Sequence, residues 1–135
     1  MDTRDQHLFE AAVKAQGHAY APYSGFRVGA ALLCEDGTVV TGANVENASY
    51  PLGCCAERTA IYAAAAMGHR RFSRLVIVGP GPEPISPCGG CRQVMAEFGD
   101  FTVVMTETQG QAQARVMQVS ELLPARFTKE DLDGV

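Results

Sequence analysis

The sequence has no apolar run long enough to cross a membrane, and its amino terminus lacks the continuous apolar stretch of a signal peptide. Internal repeats and low-complexity segments are also missing. These absences argue against a secreted or membrane-inserted protein, so we expect a cytoplasmic chain with no membrane partner. In a reducing compartment, metal binding or catalysis is a better expectation than disulfides for the five cysteines.

Basic residues are scarce relative to acidic ones. The chain has 11 Lys and Arg against 15 Asp and Glu, which gives a formal net charge of −4. Because contacts from Lys and Arg to phosphates drive nucleic-acid binding, a nucleic acid is not the expected partner. Apolar residues make up 47% of the chain, a composition typical of a packed globular protein. At 135 residues we expect a single domain over residues 1–135.

The hydrophobic pattern predicts an alternation of helices and strands. Apolar residues at three-to-four spacing predict a helix over residues 5–19, and Asp36-Gly37 predicts the turn of a β-hairpin within residues 26–47. The remaining predicted elements are helices over residues 55–67 and 88–98 and strands over residues 75–78, 101–105 and 115–119. This order predicts an α/β sandwich. The segment from Glu121 onward has no pattern that assigns it.

Three cysteines lie at the predicted starts of two helices. Cys55 opens one helix, and Cys88 and Cys91 open the next within a Pro-Cys-x-x-Cys sequence. Helix amino termini stabilise thiolates, the form of cysteine that binds zinc. Three protein ligands with an open fourth position are typical of catalytic zinc, whereas structural zinc usually has four. If the two helices start side by side, we expect one Zn²⁺ per chain at these three thiols.

Glu57 is the candidate proton carrier. It follows Cys55 by two residues, in the first helical turn, where it could face the metal without binding it. Zinc lowers the pKa of its bound water toward about 7, and a nearby carboxylate can accept and deliver that proton. Taken alone, a glutamate in a first turn is more commonly a partner of the helix dipole or a capping residue. Together with the cysteines, Glu57 favours a hydrolytic deaminase.

Other interpretations of the cysteines stay open. Cys88 and Cys91 also suit a thioredoxin-like dithiol, although that leaves Cys55 and Glu57 without a role. If Cys54 bound the metal, the site would be closed and structural. Because adjacent residues seldom direct both side chains to one ion, we expect Cys54 to be a buried apolar neighbour.

The segments NVENASYPLGCCAERTA and SPCGGCRQVMAEF resemble the small zinc-dependent cytidine deaminases. The resemblance extends from YSGFRVGAAL to LLPARF, nearly the whole chain. It implies a three-layer α/β/α sandwich with a mixed sheet of roughly five strands. It also implies zinc-dependent hydrolysis of cytidine and deoxycytidine to uridine and deoxyuridine, with release of ammonia, as in pyrimidine salvage. By the resemblance, the zinc ligands are Cys55, Cys88 and Cys91, and Glu57 is the general acid and base.

The resemblance also assigns positions that contact the nucleoside. Phe26 would lie against the pyrimidine ring, Asn44 and Glu46 would bind ribose hydroxyls, and the backbone amide of Ala56 would bind the ring carbonyl. Without the resemblance, Phe26 would be an ordinary core aromatic and Asn44 a turn former. A deaminase of a cytosine-containing nucleoside antibiotic would share the metal motif, so the identity of the nucleoside stays open.

The last expectations concern residues around this site. Arg58, beside Cys55, would offset the negative charge of three thiolates on zinc, although an arginine on a helix is usually a solvated charge. The family's members are usually homotetramers whose sites include residues of neighbouring chains, and Tyr50 and Phe127 match such positions. Cys34 and His69 have no predicted role.

Overall fold

The computed structural model describes residues 1–133. Its elements, in chain order, are α1 (Thr3–Gln16), β1 (Gly29–Cys34), β2 (Val39–Ala43), a 3-10 turn (Tyr50–Leu52), α2 (Ala56–Ala66), β3 (Phe72–Gly79), α3 (Gly89–Glu97), β4 (Thr102–Glu107), β5 (Arg115–Gln118), α4 (Val119–Leu122) and α5 (Lys129–Asp133). None of the helices in this part of the chain has the length and apolar character that crossing a membrane requires.

The five strands form one mixed sheet in the order β2-β1-β3-β4-β5. Strand β1 is antiparallel to both β2 and β3, β3 is parallel to β4, and β4 is antiparallel to β5. Val76 marks the register at the centre, because it pairs with Ala31 of β1 and Val104 of β4. The residues from Leu75 to Val78 have no exposed surface. The wholly apolar run over residues 75–78 therefore predicted a strand correctly, and this strand lies at the centre of the sheet.

Alternating residues of the strands carry two apolar cores, one on each face of the sheet. On one face, Leu8 and Ala12 of α1 pack with Val76 and Val104. On the opposite face, Ile61 of α2 and Met95 of α3 pack with the intervening strand residues, Leu75, Ile77, Val103 and Met105. This alternation follows from the two-residue period of a strand. The expected three-layer α/β/α sandwich is confirmed.

The predicted element boundaries differ most from the observed ones at α1 and at β3, which begins three residues before the predicted start. Helix α1 starts two residues earlier than predicted, because the side chain of Asp2 caps it by accepting a hydrogen bond from the Asp5 amide at 2.8 Å. It also ends earlier, at Gln16, where Gly17 is the C-cap. Helices α4 and α5 reach into the segment from Glu121 that the sequence left unassigned, and α4 already begins at Val119, where the sequence predicts the last residue of a strand. They have 4 and 5 residues, too few for an apolar period to be visible.

Strand β2 packs unusually close to α2. A Cβ on Gly42 would lie 2.5 Å from the backbone nitrogen of Ala60 and 2.6 Å from the carbonyl oxygen of Ala56. The hydroxyl of Thr59 donates a hydrogen bond to the carbonyl oxygen of Ala43 at 3.0 Å. Since only glycine fits at position 42, the end of β2 and the start of α2 are held directly against each other.

Candidate active site

Two helix starts bring three thiols to one place. Helix α2 begins directly after Cys55 and α3 directly after Cys88, so each of these cysteines is an N-cap residue. Cys91 is the third residue of α3. Neither Cys55 nor Cys88 caps its helix with a side-chain hydrogen bond; their sulfurs instead contact the side chains of Arg58 and Cys91, respectively. The sheet topology therefore brings together the three cysteines that the sequence singled out.

The sulfur atoms of this trio have the spacing of a zinc site. Cys88 Sγ lies 3.4 Å from Cys91 Sγ and 3.9 Å from Cys55 Sγ. All three sulfurs lie within 4.8 Å of one another. A tetrahedral zinc ion with Zn–S bonds of about 2.3 Å separates its sulfur ligands by about 3.8 Å. The three thiols thus fit a zinc ion, and a fourth tetrahedral position remains for a ligand that is not one of these cysteines.

Cys54 lies outside this trio in the part of the chain that the structure describes. Its backbone amide and carbonyl both pair with Val45, at 2.9 and 3.0 Å. Cys55 has an extended backbone, with φ −71° and ψ 156°. Neighbouring side chains of an extended segment point to opposite sides, which separates the Cys54 thiol from the Cys55 thiol. Burial raises the pKa of Cys54, so its thiol is more weakly acidic than usual.

Arg58 lies beside the trio and stabilises a thiolate. Its guanidinium donates a hydrogen bond to Cys55 Sγ at 3.3 Å. A hydrogen bond from Cys91, together with this guanidinium, lowers the pKa of Cys55 to about 5. The pKa of Cys91 is raised, first because it donates to Cys55 and then because it is buried. Arg58 Nε is buried and has no hydrogen-bond partner among residues 1–133. The structure thus places Arg58 against a candidate zinc ligand rather than in solvent.

Glu57 is a buried carboxyl in the first turn of α2. Only 4% of its surface is exposed. Burial is the main reason why its pKa is raised, and the neighbouring Cys55 thiolate raises it further. A carboxyl with a raised pKa holds a proton more readily near neutral pH than an exposed one does. Such a group can both accept and donate a proton next to the three thiols.

A cavity of about 210 Å³ opens beside the thiols. Its lining includes six of the residues predicted from the sequence: Phe26, Asn44, Cys55, Ala56, Glu57 and Cys88. Ala56 is the first residue of α2, where a backbone N–H has no partner within the helix and can bind an oxygen atom. The cavity therefore combines an aromatic face, a free helix amide, a buried carboxyl and the thiols.

A second hollow, of about 300 Å³, contains Glu46. Tyr23, Ser24 and Tyr50 line it as well. Phe26 connects the two hollows. Its carbonyl oxygen accepts a hydrogen bond at 2.8 Å from the side-chain amide of Asn44, which lines the first, and its own amide donates at 2.9 Å to Ser24 Oγ, which lines the second. Asn44 and Glu46 thus contact neighbouring parts of one loop, Asn44 at Phe26 and Glu46 at Ser24.

Comparison with known proteins agrees with this geometry. Residues 2–107 match the model of the cytidine and deoxycytidylate deaminase zinc-binding region. A cytidine deaminase of Halalkalibacterium halodurans is 49% identical over 130 residues, which is 95% of this chain and 97% of the relative. A cytidine deaminase of Mycobacterium tuberculosis is 41% identical over 90% of this chain and 87% of the relative.

The chain belongs to the cytidine and deoxycytidylate deaminase family.

A solved structure supports the same assignment. The crystal structure of cytidine deaminase from Burkholderia pseudomallei superposes with a TM-score of 0.87 at 50% identity, over 94% of this chain and 100% of that one. The family catalyses the hydrolytic deamination of cytidine to uridine. Deaminases of this kind are hydrolases that act on C–N bonds, and the matched region is a zinc-binding one, so the expected zinc cofactor agrees with the thiol trio.

Two residues that the resemblance to cytidine deaminases assigns to subunit contacts lie at the surface. Tyr50 is 76% exposed and its ring centroid is 6.0 Å from that of Tyr23, at the edge of the second hollow. Phe127 is 56% exposed and lies outside the lining of both hollows. Its carbonyl oxygen accepts a hydrogen bond from the Gln93 side chain at 2.8 Å. Within one chain, therefore, Tyr50 borders the site and Phe127 does not.

Several lining residues have no signal in the sequence. Ile85 and Ser86 line the first cavity from the Pro-rich loop between β3 and α3. Their position could have been inferred only from the rule that loops after parallel strands border the site of an α/β fold. Tyr23 and Ser24 lie in a loop whose sequence has no hydrophobic periodicity. Both residues become visible only through their contacts with Glu46.

A second group of metal-binding residue types lies at the β1–β2 turn. The ligand atoms of Cys34, Asp36 and His69 lie within 4.8 Å of one another. Asp36 is mostly exposed and already accepts a hydrogen bond from the Thr38 amide at 3.0 Å, and its other oxygen lies 3.6 Å from His69 Nδ1. Cys34 belongs to the apolar core. We interpret this group as a contact between the hairpin and the loop after α2.

Proposed function

We propose that this protein deaminates cytidine and deoxycytidine with a zinc ion held by Cys55, Cys88 and Cys91, releasing ammonia and giving uridine and deoxyuridine. The observation that carries the proposal is the convergence of the three sulfurs, with the buried Glu57 in the same cavity lining and close enough for Cys55 and Cys91 to act on its pKa. When bound, zinc supplies Lewis-acid activation of water at neutral pH. One water is consumed for each ammonia released.

Glu57 is the proposed proton carrier of this reaction. Its carboxyl lies in the cavity lining with Cys55 and Cys88, and burial raises its pKa. We assign it two transfers. In the first, a proton taken from the attacking water goes to the ring nitrogen next to the amine-bearing carbon. The second proton, from the hydroxyl that this water leaves on the carbon, goes to the departing amine as the C–N bond breaks and the carbonyl forms. Arg58 keeps Cys55 in its thiolate form through the 3.3 Å hydrogen bond.

The nucleoside contacts follow from the two hollows. In the first cavity, the Phe26 ring would lie against the pyrimidine, and the Ala56 amide would donate to the ring carbonyl. Asn44 and Glu46 would bind the sugar hydroxyls. If a carboxylate is positioned to bind a sugar hydroxyl, binding of a free base is disfavoured, because the base leaves that carboxylate without a hydrogen-bond partner. Cytosine itself would therefore be a poor substrate compared with its nucleosides.

Assembly and location belong to the same proposal. We infer that residues 1–135 form one domain, since every strand of the structure belongs to one sheet. Exposed aromatic side chains at Tyr50 and Phe127 suit contacts between copies, so we propose a homotetramer in which these residues complete neighbouring sites. Zinc thiolates are best preserved in a reducing compartment, which favours a cytoplasmic enzyme of pyrimidine salvage.

The proposal is tested by ammonia release from cytidine and deoxycytidine, with zinc content measured on the same samples. We expect turnover by the wild type, and a loss of about 10²- to 10⁴-fold in kcat for Glu57→Gln with zinc retained. The matched control is Glu97→Gln, which removes an exposed carboxyl from α3. Zinc-loaded wild-type protein that releases no ammonia from either nucleoside would refute the proposal.

A further inference from the structure

The hydroxyl of Ser24 connects two groups of the proposed nucleoside site. It donates to one carboxylate oxygen of Glu46 and accepts a hydrogen bond from the Phe26 amide at 2.9 Å. The same serine offers its own backbone amide to the other carboxylate oxygen of Glu46 at 3.1 Å. One residue therefore contacts both oxygens of Glu46 and the backbone of Phe26.

The Glu46 carboxylate is oriented almost entirely by this loop. Oε1 accepts hydrogen bonds from the amides of Tyr23 and Ser24, at 3.0 and 3.1 Å, and Oε2 accepts from the Ser24 hydroxyl. The hydrogen bond from the Ser24 hydroxyl is the main reason why the pKa of Glu46 lies below its usual value. An ionised carboxylate has about four acceptor positions, so three are used by the chain and one remains for a ligand hydroxyl.

The side chain of Asn44 also binds this loop, at Phe26 and Val28. Its side-chain amide donates to the Phe26 carbonyl at 2.8 Å, and its side-chain oxygen accepts from the Val28 amide at 2.9 Å. The Phe26 backbone is thus fixed at its amide by Ser24 and at its carbonyl by Asn44. Removing the Ser24 hydroxyl would release the first of these restraints and leave the second in place.

We propose that Ser24 is a positioning residue for nucleoside binding, which aims the Glu46 carboxylate at a sugar hydroxyl and holds the Phe26 backbone beside the ring. This inference rests on the proposed function, in which Glu46 and Phe26 bind the nucleoside. Ser24 does not touch the thiol trio, so its effect falls on substrate binding rather than on the chemical step.

The test compares Ser24→Ala with Ser24→Thr in steady-state kinetics. Ser24 is exposed, so neither change disturbs the core, and threonine keeps the hydroxyl. A hydrogen bond to a charged group is typically worth a factor of about 10 or more in binding. We expect Ser24→Ala to raise KM for cytidine about 10-fold while kcat changes less than about 3-fold, and we expect Ser24→Thr to restore most of the loss.

A substrate without the sugar hydroxyls separates positioning from general damage. With 2′,3′-dideoxycytidine there is no 2′- or 3′-hydroxyl for Glu46, so Ser24→Ala should raise KM clearly less than it does with cytidine. For the same reason, Ser24→Ala should add little to the KM of Glu46→Gln in a double-mutant cycle. An unchanged KM for cytidine, an equal loss on both substrates, or an additive double mutant would overturn the inference.

Direct binding of uridine, measured by calorimetry, distinguishes this inference from the proposed function. Wild-type protein that binds uridine but releases no ammonia would refute the proposed reaction, and weaker uridine binding by Ser24→Ala would still support the positioning role. Wild-type protein that shows neither turnover nor uridine binding would overturn both. Turnover by the wild type with identical uridine binding by the wild type and Ser24→Ala would overturn the positioning role alone.

Discussion

At the metal end of the site, Cys91 and Glu57 are 0% and 4% exposed, whereas at the sugar end Phe26 and Tyr50 are 47% and 76% exposed. The metal end consists of the thiol trio and Glu57, and two helix starts hold it. What we call the sugar end groups Asn44 and Glu46, the proposed sugar contacts, with the neighbouring Phe26, the proposed ring contact, and Tyr50; it lies on loops and a 3-10 turn. A single chain therefore buries Glu57 and Cys91 but leaves Cys88, Phe26 and Tyr50 exposed, as expected of a site that another copy completes in the proposed homotetramer.

The largest expected effect within the metal end comes from comparing Cys91, a member of the thiol trio, with Cys54, which lies outside it. We expect Cys91→Ala to lose zinc and all measurable ammonia release, because only two sulfurs remain to hold the ion. The matched control is Cys54→Ala, which should keep both zinc and turnover. Zinc content by atomic absorption and circular dichroism of each variant check the result. Loss of zinc in Cys54→Ala would instead indicate a closed site with four cysteines.

Arg58 tests whether the metal end depends on a charge that does not bind the metal. We expect Arg58→Gln to weaken zinc affinity about 10- to 100-fold, as loss of a hydrogen bond to a ligand typically does. Without the guanidinium the pKa of Cys55, about 5 in the metal-free protein, should rise, so the thiolate should form at higher pH. Competition with a zinc chelator and a titration of thiolate absorbance measure the two effects.

The control for Arg58 is Arg71→Gln, which removes an exposed arginine from the chain before β3. This variant should match the wild type in both zinc affinity and thiolate titration. Equal weakening by the two changes would mean that overall charge, and not the contact with Cys55, tunes the metal end.

Phe127 tests whether the open sugar end is completed by another chain. We expect Phe127→Ala to reduce kcat/KM for cytidine by about tenfold, within the range for truncating a buried contact residue, if the residue closes a neighbouring site. Mixing Phe127→Ala with the inactive Glu57→Gln should then restore part of the activity, because a mixed assembly contains sites that carry neither change. No recovery in assemblies shown by mass to be mixed would place the effect of Phe127 within its own chain.

Most of the fold and the cysteines of the metal end could be predicted from the sequence, because both depend on patterns that extend over only a few neighbouring residues. The spacing of apolar residues predicted the long helices and strands, and Asp36-Gly37 predicted the turn of the hairpin. The cysteines stood out as candidate ligands because they lie where helices begin. Helix starts are legible in a sequence because capping and composition act over a few residues. What the periods could not supply is the sheet order that brings Cys55 next to Cys88, 33 residues later.

The sugar end shows why the rest could not be read from the sequence. The contact between Ser24 and Glu46 joins two loop residues 22 positions apart, and loops carry no period. Phe26 and Asn44 look like a core aromatic and a turn former until the structure shows that they share a wall of one cavity. The carboxyl-terminal helices are invisible for a different reason, because 4 or 5 residues make a single turn.

The contact at Gly42 has a consequence for which molecules fit. Asn44 follows the end of β2, and Ala56 and Glu57 begin α2, so the missing side chain at position 42 lets these two parts of the pocket lie closer together than any other residue there would allow. In the proposed site, the distance between the sugar contact at Asn44 and the ring contacts at Ala56 and Glu57 would then be set by backbone packing, not by adjustable side chains. A base alone would engage one end of this distance, whereas a nucleoside would reach both. Selection by size in the proposed reaction would thus be set where a strand meets a helix, beneath the surface that the substrate touches.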